Sequence, residues 1–235
     1  MLDVLAPLDF AHGREGSMDT RRLLRLWNDA HRYMKKERAG ELRWAGSISR
    51  NTWRNIGSST FLREYAWVVY AAGIRNDILD QYWPRLRRAF GGFRLTRIAK
   101  MRSTAPVIKV FRNEQKASHV LQGAALIQAE GFKTFKARVA RDWKQELEGL
   151  PGIGPITKFH LARNVGLADT GKPDLWVSRI TKLAHASDWQ TMLQYLSKRS
   201  RLPPKAVDVV LFRYGADRAW RDGGYRTFQD YFRHL

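Results

Sequence analysis

Apolar residues recur along most of this chain with the period of an α-helix. Between about residues 20 and 38 apolar side chains fall at helical spacing among arginines and lysines, and Asp19 or Thr20 is placed to cap that helix. The segment from about 60 to 73 is apolar on nearly every side, which predicts a buried helix. Further helices are predicted over about 76–90, 113–130, 137–148, 155–165, 176–186, 189–200 and 204–214. Alternation at strand length hardly occurs, so the predicted fold class is all-α.

Proline and glycine set the expected ends of several of these helices. Pro84 falls inside the segment 76–90 and is expected to kink it or split it in two. Gly131 follows the helix predicted over 113–130 and supplies its stop. The stretch 45–59 has no clear period and is interpreted as turn-like.

Composition narrows the classes of function. The chain has 235 residues, of which 44% are hydrophobic, enough to bury a core. Lys and Arg number 42 against 22 for Asp and Glu, and this net charge of +20 favours nucleic acid first and anionic lipid second as the partner. The sequence contains no Cys, which excludes disulfides, thiolate zinc sites, thiol nucleophiles and Cys-ligated iron–sulfur clusters. No apolar run reaches the roughly 18 residues that span a bilayer, so we expect a cytoplasmic protein, nucleoid-associated in a prokaryote.

One stretch breaks the helical pattern, the segment LPGIGPITK at residues 150–158. Gly152 and Gly154 permit crowded or left-handed backbone, and Pro155 suits the first position of a following helix. The segment therefore predicts a tight hairpin between two helices, with free amides at a helix N-terminus that can hold a phosphate. The alternative is an ordinary helix–helix connection.

The run from residue 150 to 180 resembles the signature of the helix-hairpin-helix (HhH-GPD) superfamily of base-excision DNA glycosylases. Its LPGxG hairpin is followed by Asp174, 20 residues beyond Gly154. Residues 112–121 and 206–215 also resemble the superfamily, so the resemblance covers about 61–215. It implies a helical glycosylase fold with a hairpin motif at about 141–166 and a DNA-binding cleft between two helical subdomains. The domains expected on this basis are an N-terminal helical extension, 1–55, and a glycosylase core, 56–235.

The resemblance also implies roles for individual residues. Asp174 would be the catalytic residue, since a fixed carboxylate stabilises the positive charge that develops on the sugar as the base departs. The alternative for Asp174 is a helix N-cap, and both roles are compatible. Lys158 is either a phosphate contact or a solvated lysine. The residues expected to contact the DNA backbone are Gly152, Ile153, Gly154, Ile156, Thr157 and Lys158.

The pocket assignments follow from the same resemblance. Bifunctional members carry a lysine nucleophile at the position of Ile156, so this chain resembles the monofunctional, cluster-free branch. The candidates for the base pocket or the wedge that fills the gap in the duplex are Ile156, His160, Trp67, Tyr70, Ile74 and Arg75. The alternative for the aromatic members is ordinary core packing, and for His160 a structural role. The basic residues of the first helix are equally compatible with DNA contact and with a solvated face.

The expected activity is excision of a damaged or modified base from double-stranded DNA, leaving an abasic site. The partner is then duplex DNA, with no membrane and with a monomeric protein. No cofactor is required, although the hairpin carbonyls of Glu148, Leu150 and Ile153 correspond to a monovalent cation site of the superfamily. The alternatives are excision of hypermodified phage bases, such as glucosylated ones, as antiviral defence, a non-catalytic DNA-binding protein, and a lyase that uses another lysine.

Overall fold

The computed structural model describes residues 17–235, and this part of the chain is helical without any β-strand. The predicted all-α class is therefore confirmed for the described residues. Two short 3₁₀ segments, Gly91–Phe93 and Ala219–Gly223, interrupt the series. The helices are α1 (Thr20–Glu37), α2 (Ala39–Ser47), α3 (Arg50–Asn55), α4 (Ser58–Ala71), α5 (Asn76–Ala89), α6 (Leu95–Ala99), α7 (Ala105–Ile108), α8 (Glu114–Glu130), α9 (Phe132–Arg141), α10 (Trp143–Glu148), α11 (Thr157–Asn164), α12 (Leu175–Leu183), α13 (Trp189–Ser200), α14 (Pro204–Ala216) and α15 (Phe228–Arg233).

Side-chain caps begin several of the helices that periodicity predicts. The carboxylate of Asp19 accepts a hydrogen bond from the Arg22 amide at 3.0 Å and starts α1. Asn113 caps α8 through the Lys116 amide at 2.9 Å, and Gly131, with φ of 84°, follows the last residue of that helix. These caps satisfy amides that a helix leaves without partners in its first turn.

Two predictions differ from the structure. Helix α5 is continuous through Pro84, which is exposed, so the predicted split at that residue is wrong, and the alternative of a kink stays a prediction. The segment 137–148 is not one helix, because α9 ends at Arg141 and Asp142 caps α10 by accepting from the Gln145 amide. In addition, the stretch interpreted as turn-like contains the short helix α3.

Two hydrophobic clusters form the interior. The first is built mainly by α4 to α11, with fully buried Phe61, Leu62 and Phe135 among its members. The second combines α1 and α2 with α12 to α15, so the beginning and the end of the described chain share one core. The division at residue 55 stays a prediction; α1 and α2 pack with the C-terminal helices, and Trp53 belongs to the first cluster.

Polar contacts join α1 and α2 to the C-terminal helices. Asp217 accepts hydrogen bonds from the Tyr33 hydroxyl at 2.8 Å and from Arg38 Nε at 3.1 Å. Arg213 on α14 pairs with Glu41 on α2 at 2.8 Å. Among residues 17–235 no helix is both long and apolar enough to cross a membrane.

Candidate functional site

A cleft of about 1320 Å³ is lined by residues from both hydrophobic clusters and their connections. It brings together half of the fourteen residues that the sequence predicts for a site, although they are far apart in the chain. The predicted residues that line it are Trp67, Ile74, Arg75, Ile156, Thr157, His160 and Asp174. The first three come from α4 and the loop after it, and the others from the hairpin, α11 and the start of α12.

Asp174 lies at the N-terminus of α12 and its two carboxylate oxygens have different surroundings. Oδ1 accepts hydrogen bonds from the amides of Trp176 at 2.9 Å and Val177 at 3.1 Å, so the predicted N-cap is confirmed. Oδ2 is buried and lies 3.1 Å from Lys172 Nζ, but it accepts no well-directed hydrogen bond from any group of residues 17–235. A buried carboxylate oxygen without a hydrogen-bond partner is unusual, because its desolvation is normally compensated.

The segment before Asp174 is fixed to two other helices. The Lys172 amide donates to Oδ1 of Asp208 on α14 at 3.0 Å, and Asp208 also forms a buried ion pair with Arg163 on α11. A side chain at position 171 would collide with Leu193, so glycine allows this close approach. Burial raises the pKa of Asp208 to about 6, against the opposing effect of the Arg163 guanidinium. The orientation of Asp174 is thereby linked to the helix that follows the hairpin.

The hairpin region contains α10, a tight turn and α11, packed on each other. The turn closes through the Ile153 amide, which donates to the Leu150 carbonyl at 3.0 Å, and through the Gly154 amide, which donates to Thr157 Oγ1 at 2.7 Å. From the core, the Tyr65 hydroxyl lies 2.5 Å from the Pro151 carbonyl oxygen. In the part of the chain that the structure describes, the amides of Ile156 and Thr157 have no hydrogen-bond acceptor.

Replacing Gly152 by Ala should destabilise the protein by about 2–4 kcal/mol. Gly152 has φ of 78°, and an added Cβ would lie 2.6 Å from His119 Nδ1. The left-handed backbone accounts for about 1 kcal/mol and the overpacking for about 1–3 kcal/mol. The matched control is Gly224→Ala, which has φ of 80° and no neighbouring atom within 4 Å. Urea denaturation should show the larger loss for Gly152→Ala, and equal losses would contradict the close packing of the turn.

The remaining hairpin residues are placed as follows. Ile156 is 46% exposed at the cleft, whereas the side chain of Ile153 is buried, so only its backbone is available to a ligand. Lys158 pairs with Glu148 and does not line the cleft. The Leu150 carbonyl accepts the Ile153 amide. No group of three or more His, Asp or Glu side chains suited to a metal ion is found within residues 17–235, and the cation site at the carbonyls of Glu148, Leu150 and Ile153 stays a prediction.

The aromatic candidates separate into one at the cleft and one in the core. Trp67 lines the cleft and makes an edge-to-face contact with Trp83, their centroids 4.8 Å apart. Tyr70 is fully buried, with its ring edge-on to Phe90 and Phe111, so it does not reach the cleft and is a packing residue in this structure. The sequence could not separate the two, since both lie on a helix that is apolar on almost every side.

The wedge candidates lie in the loop after α4. Ile74 packs partly against the first cluster, and Arg75 is exposed and paired with Asp77 at 2.6 Å. Lys116 on α8 donates to the carbonyls of Val69 and Ala72, at 2.6 and 2.7 Å, and so anchors the end of α4. These contacts fix the base of the loop and leave Arg75 at the cleft.

His160 is buried in the cleft wall among cationic side chains. Burial, together with the charges of Lys172, Arg163 and Arg213, lowers its pKa well below the ordinary 6.5. The imidazole is therefore neutral near pH 7 and has both a hydrogen-bond donor and an acceptor. A neutral ring of this kind can contact an uncharged base.

The lowered pKa of His160 should make the stability of the protein depend on pH. In the unfolded chain His160 takes up a proton below about pH 6.5, but in the folded protein it does not. Its contribution to the free energy of unfolding is thus fully present above about pH 6.5 and is lost as the pH falls, by up to about 1.4 kcal/mol per pH unit. Urea denaturation between pH 5 and 8 should show a steeper acid loss for wild type than for His160→Asn. Parallel curves would show that His160 takes up a proton as readily in the folded protein as in the unfolded chain, and would contradict the lowered pKa.

Several polar residues of the cleft are not among the predicted site residues. Lys172 lies directly before Pro173–Asp174, and that proximity in the chain was the available signal. Asn164 Nδ2 donates to Glu64 at 3.2 Å, a contact between α11 and α4 that no local pattern announces. Most basic side chains of the cleft face a carboxylate, in the pairs Arg38–Asp217, Arg63–Glu64, Arg75–Asp77, Arg163–Asp208, Lys172–Asp174 and Arg213–Glu41.

Comparison with protein-family models, with curated proteins and with solved structures found no match for this chain. The geometry of the cleft and the resemblance of the segment 150–180 are therefore what bear on function. Both concern the same two features, the carboxylate at the start of α12 and the turn that precedes α11.

Proposed function

We propose that this protein is a monofunctional DNA glycosylase. It turns a damaged or modified base out of double-stranded DNA, hydrolyses the N-glycosidic bond and leaves an abasic site. The observation that carries the proposal is the position of Asp174, which lines the same cleft as Ile156 and Thr157 of the hairpin. On this proposal the turn between α10 and α11 is a helix-hairpin-helix motif, and the cleft between the two clusters receives DNA.

The two oxygens of Asp174 suit this chemistry. As the base departs, positive charge develops on the sugar, and a fixed carboxylate stabilises that transition state more than the ground state. The amides of Trp176 and Val177 hold Oδ1. Oδ2 accepts no hydrogen bond and would face the sugar or the attacking water once the Lys172 ammonium, 3.1 Å away, moves aside. Because the cap fixes Oδ1 and Asp208 holds the backbone at Lys172, the carboxylate itself needs little reorganisation.

The rest of the cleft supplies groups for holding DNA and an extruded nucleotide. The amides of Ile156 and Thr157 are suited to a backbone phosphate, which such groups bind without reading sequence. Extruding the nucleotide costs a few kcal/mol of stacking, which contacts to the base and a side chain filling the gap must offset. On this proposal, Trp67 and neutral His160, which line the cleft, would contact the base, and Ile74 and Arg75 would fill the gap.

The second candidate function is a glycosylase that is also a lyase and uses Lys172 as its nucleophile. Ile156 cannot act as a nucleophile, but Lys172 Nζ lies 3.1 Å from Asp174 Oδ2 in the same cleft. A neutral amine there could attack the anomeric carbon as the base leaves, and opening of the sugar ring would give a Schiff base, from which elimination of the 3′ phosphate cleaves the strand. Borohydride would trap that Schiff base as a covalent protein–DNA complex. A complex that disappears in Lys172→Gln would establish the lyase, and its absence supports the monofunctional assignment.

The direct test is a panel of duplex oligonucleotides with alkylated purines, oxidised guanine, or mismatched uracil or thymine, together with glucosylated phage DNA. After incubation, heating in alkali breaks strands at abasic sites. We expect alkali-dependent breaks in at least one substrate, with damaged bases ranked first and hypermodified phage bases, which would imply antiviral defence, second. Tight DNA binding without base release from any substrate would leave a non-catalytic DNA-binding protein and overturn the proposal.

A further inference from the structure

A second pocket of about 800 Å³ lies next to the cleft and is walled largely by arginine side chains. Its apolar wall consists of Trp83 and Pro84 on α5. Gly91 and Gly92, in the 3₁₀ segment between α5 and α6, also line it. The five arginines around it are Arg63, Arg87, Arg88, Arg94 and Arg97.

The charge of this pocket contrasts with that of the cleft. Arg63 pairs with Glu64, but within residues 17–235 no carboxylate lies within ion-pair distance of the other four arginines. All five side chains are exposed. Like charges gathered on one concave surface raise the local positive potential and concentrate an anion there.

The backbone brings these arginines together from two directions. Arg87 and Arg88 lie in the last turn of α5, where a cation interacts favourably with the helix dipole. The chain then reverses through Gly91 and Gly92, with φ of 62° and 73°, so that Arg94 and Arg97 reach the same pocket. Phe90 and Phe93, on either side of the glycines, are buried in the first cluster and hold this turn of the chain in place.

We propose that this arginine pocket is a second nucleic-acid subsite, which binds phosphodiester groups of DNA that extends beyond the cleft. The inference rests on the proposed function, because it takes DNA as the occupant of the cleft. Arg63 and Trp83 line both spaces, so the cleft and the pocket are neighbours with a shared wall. Guanidinium groups bind phosphate oxygens through two parallel hydrogen bonds, and four of them here have no competing carboxylate in the described chain.

The test measures DNA affinity against salt concentration in the full-length protein. The variant is Arg88→Gln/Arg94→Gln/Arg97→Gln, and the matched control is Lys198→Gln/Arg199→Gln/Arg201→Gln, which removes the same charge from exposed positions outside both pockets. Each lost phosphate contact lowers the slope of log K against log salt by about 0.9. We expect the pocket variant to lose roughly 2–3 in slope and to bind at least about tenfold more weakly at low salt. Equal effects of the two variants would overturn the subsite.

Two further arms identify the source of the phosphate. In the first, duplexes are lengthened stepwise on either side of a central site; wild type should gain affinity with length on one side, and the pocket variant should not. In the second, ADP and pyrophosphate are titrated as probes. Saturable binding of either to the pocket, without any effect of DNA length, would mean a free phosphorylated compound and overturn the assignment to DNA.

The failure of this inference can be distinguished from failure of the proposed function. Affinity is measured in the Asp174→Asn background, where binding does not depend on base release. If no substrate is processed but the salt slope falls only in the pocket variant, the glycosylase proposal fails and the subsite stands. If base release is observed and the two variants have the same salt slope, the glycosylase proposal stands and the subsite fails. Circular dichroism of each variant excludes unfolding as the cause of weaker binding.

Discussion

Asp174→Asn should lower base release by about 10²- to 10⁴-fold while leaving DNA affinity close to that of wild type. The substitution removes the negative charge that would stabilise the developing positive charge of the sugar. It keeps the oxygen that accepts from the amides of Trp176 and Val177, and asparagine is as good an N-cap as aspartate. Stability should therefore change little, and the loss should fall on the chemical step in single-turnover assays.

The chain contains a matched control for that variant. Asp188 caps α13 by accepting from the Thr191 amide at 2.8 Å, as Asp174 caps α12, but it does not line the cleft. Asp188→Asn makes the same chemical change at a helix cap that lies outside the cleft. We expect it to release bases at the wild-type rate. An Asp174→Asn protein that is equally active would reduce Asp174 to a structural cap and leave the glycosylase mechanism without its carboxylate.

The helices that begin with a capping side chain and carry an amphipathic stripe could be predicted from the sequence closely. Helix α13 has the predicted bounds, Trp189–Ser200, and α8 differs by a single residue. In both cases the signal is local, because the side chain of an Asp or Asn accepts a hydrogen bond from the backbone amide of the residue three positions later in the chain. The tight turn at 150–158 is local in the same sense, since its glycines and prolines set the backbone themselves.

The composition of the cleft wall depends on contacts between distant parts of the chain. Helix α4 is apolar on nearly all sides, so its pattern could not show that Trp67 faces the cleft and Tyr70 the core. The pairing of Arg163 with Asp208 joins α11 to α14 across 45 residues, and nothing near either residue indicates it. The carboxylate at the start of α12 could therefore be predicted from the sequence, whereas the network of contacts that holds it could not.

Removing the guanidinium of that network should be among the most destabilising single changes in the protein. Arg163→Met leaves Asp208, which is fully buried, without its countercharge, and breaking a buried pair from one side costs about 3–5 kcal/mol. Arg38→Met is the control, because its pair with Asp217 is partly exposed and contributes about 0–1 kcal/mol. Urea denaturation should show a large difference between the two variants, and similar losses would contradict a desolvated pair.

The double variant Arg163→Met/Asp208→Asn distinguishes two causes of lost stability, the uncompensated charge of Asp208 and the lost packing of the Arg163 side chain. Asparagine is neutral and can still accept from the Lys172 amide, so it should recover much of the stability lost in Arg163→Met. Burial raises the pKa of Asp208 to about 6 even with Arg163 present, and without the guanidinium that opposes this effect it should rise further. The difference in unfolding free energy between single and double variants should thus be small below about pH 3.9, where unfolded aspartate is protonated, and should grow as the pH rises through 6. A difference that does not change with pH would mean that packing, and not the charge of Asp208, accounts for the loss.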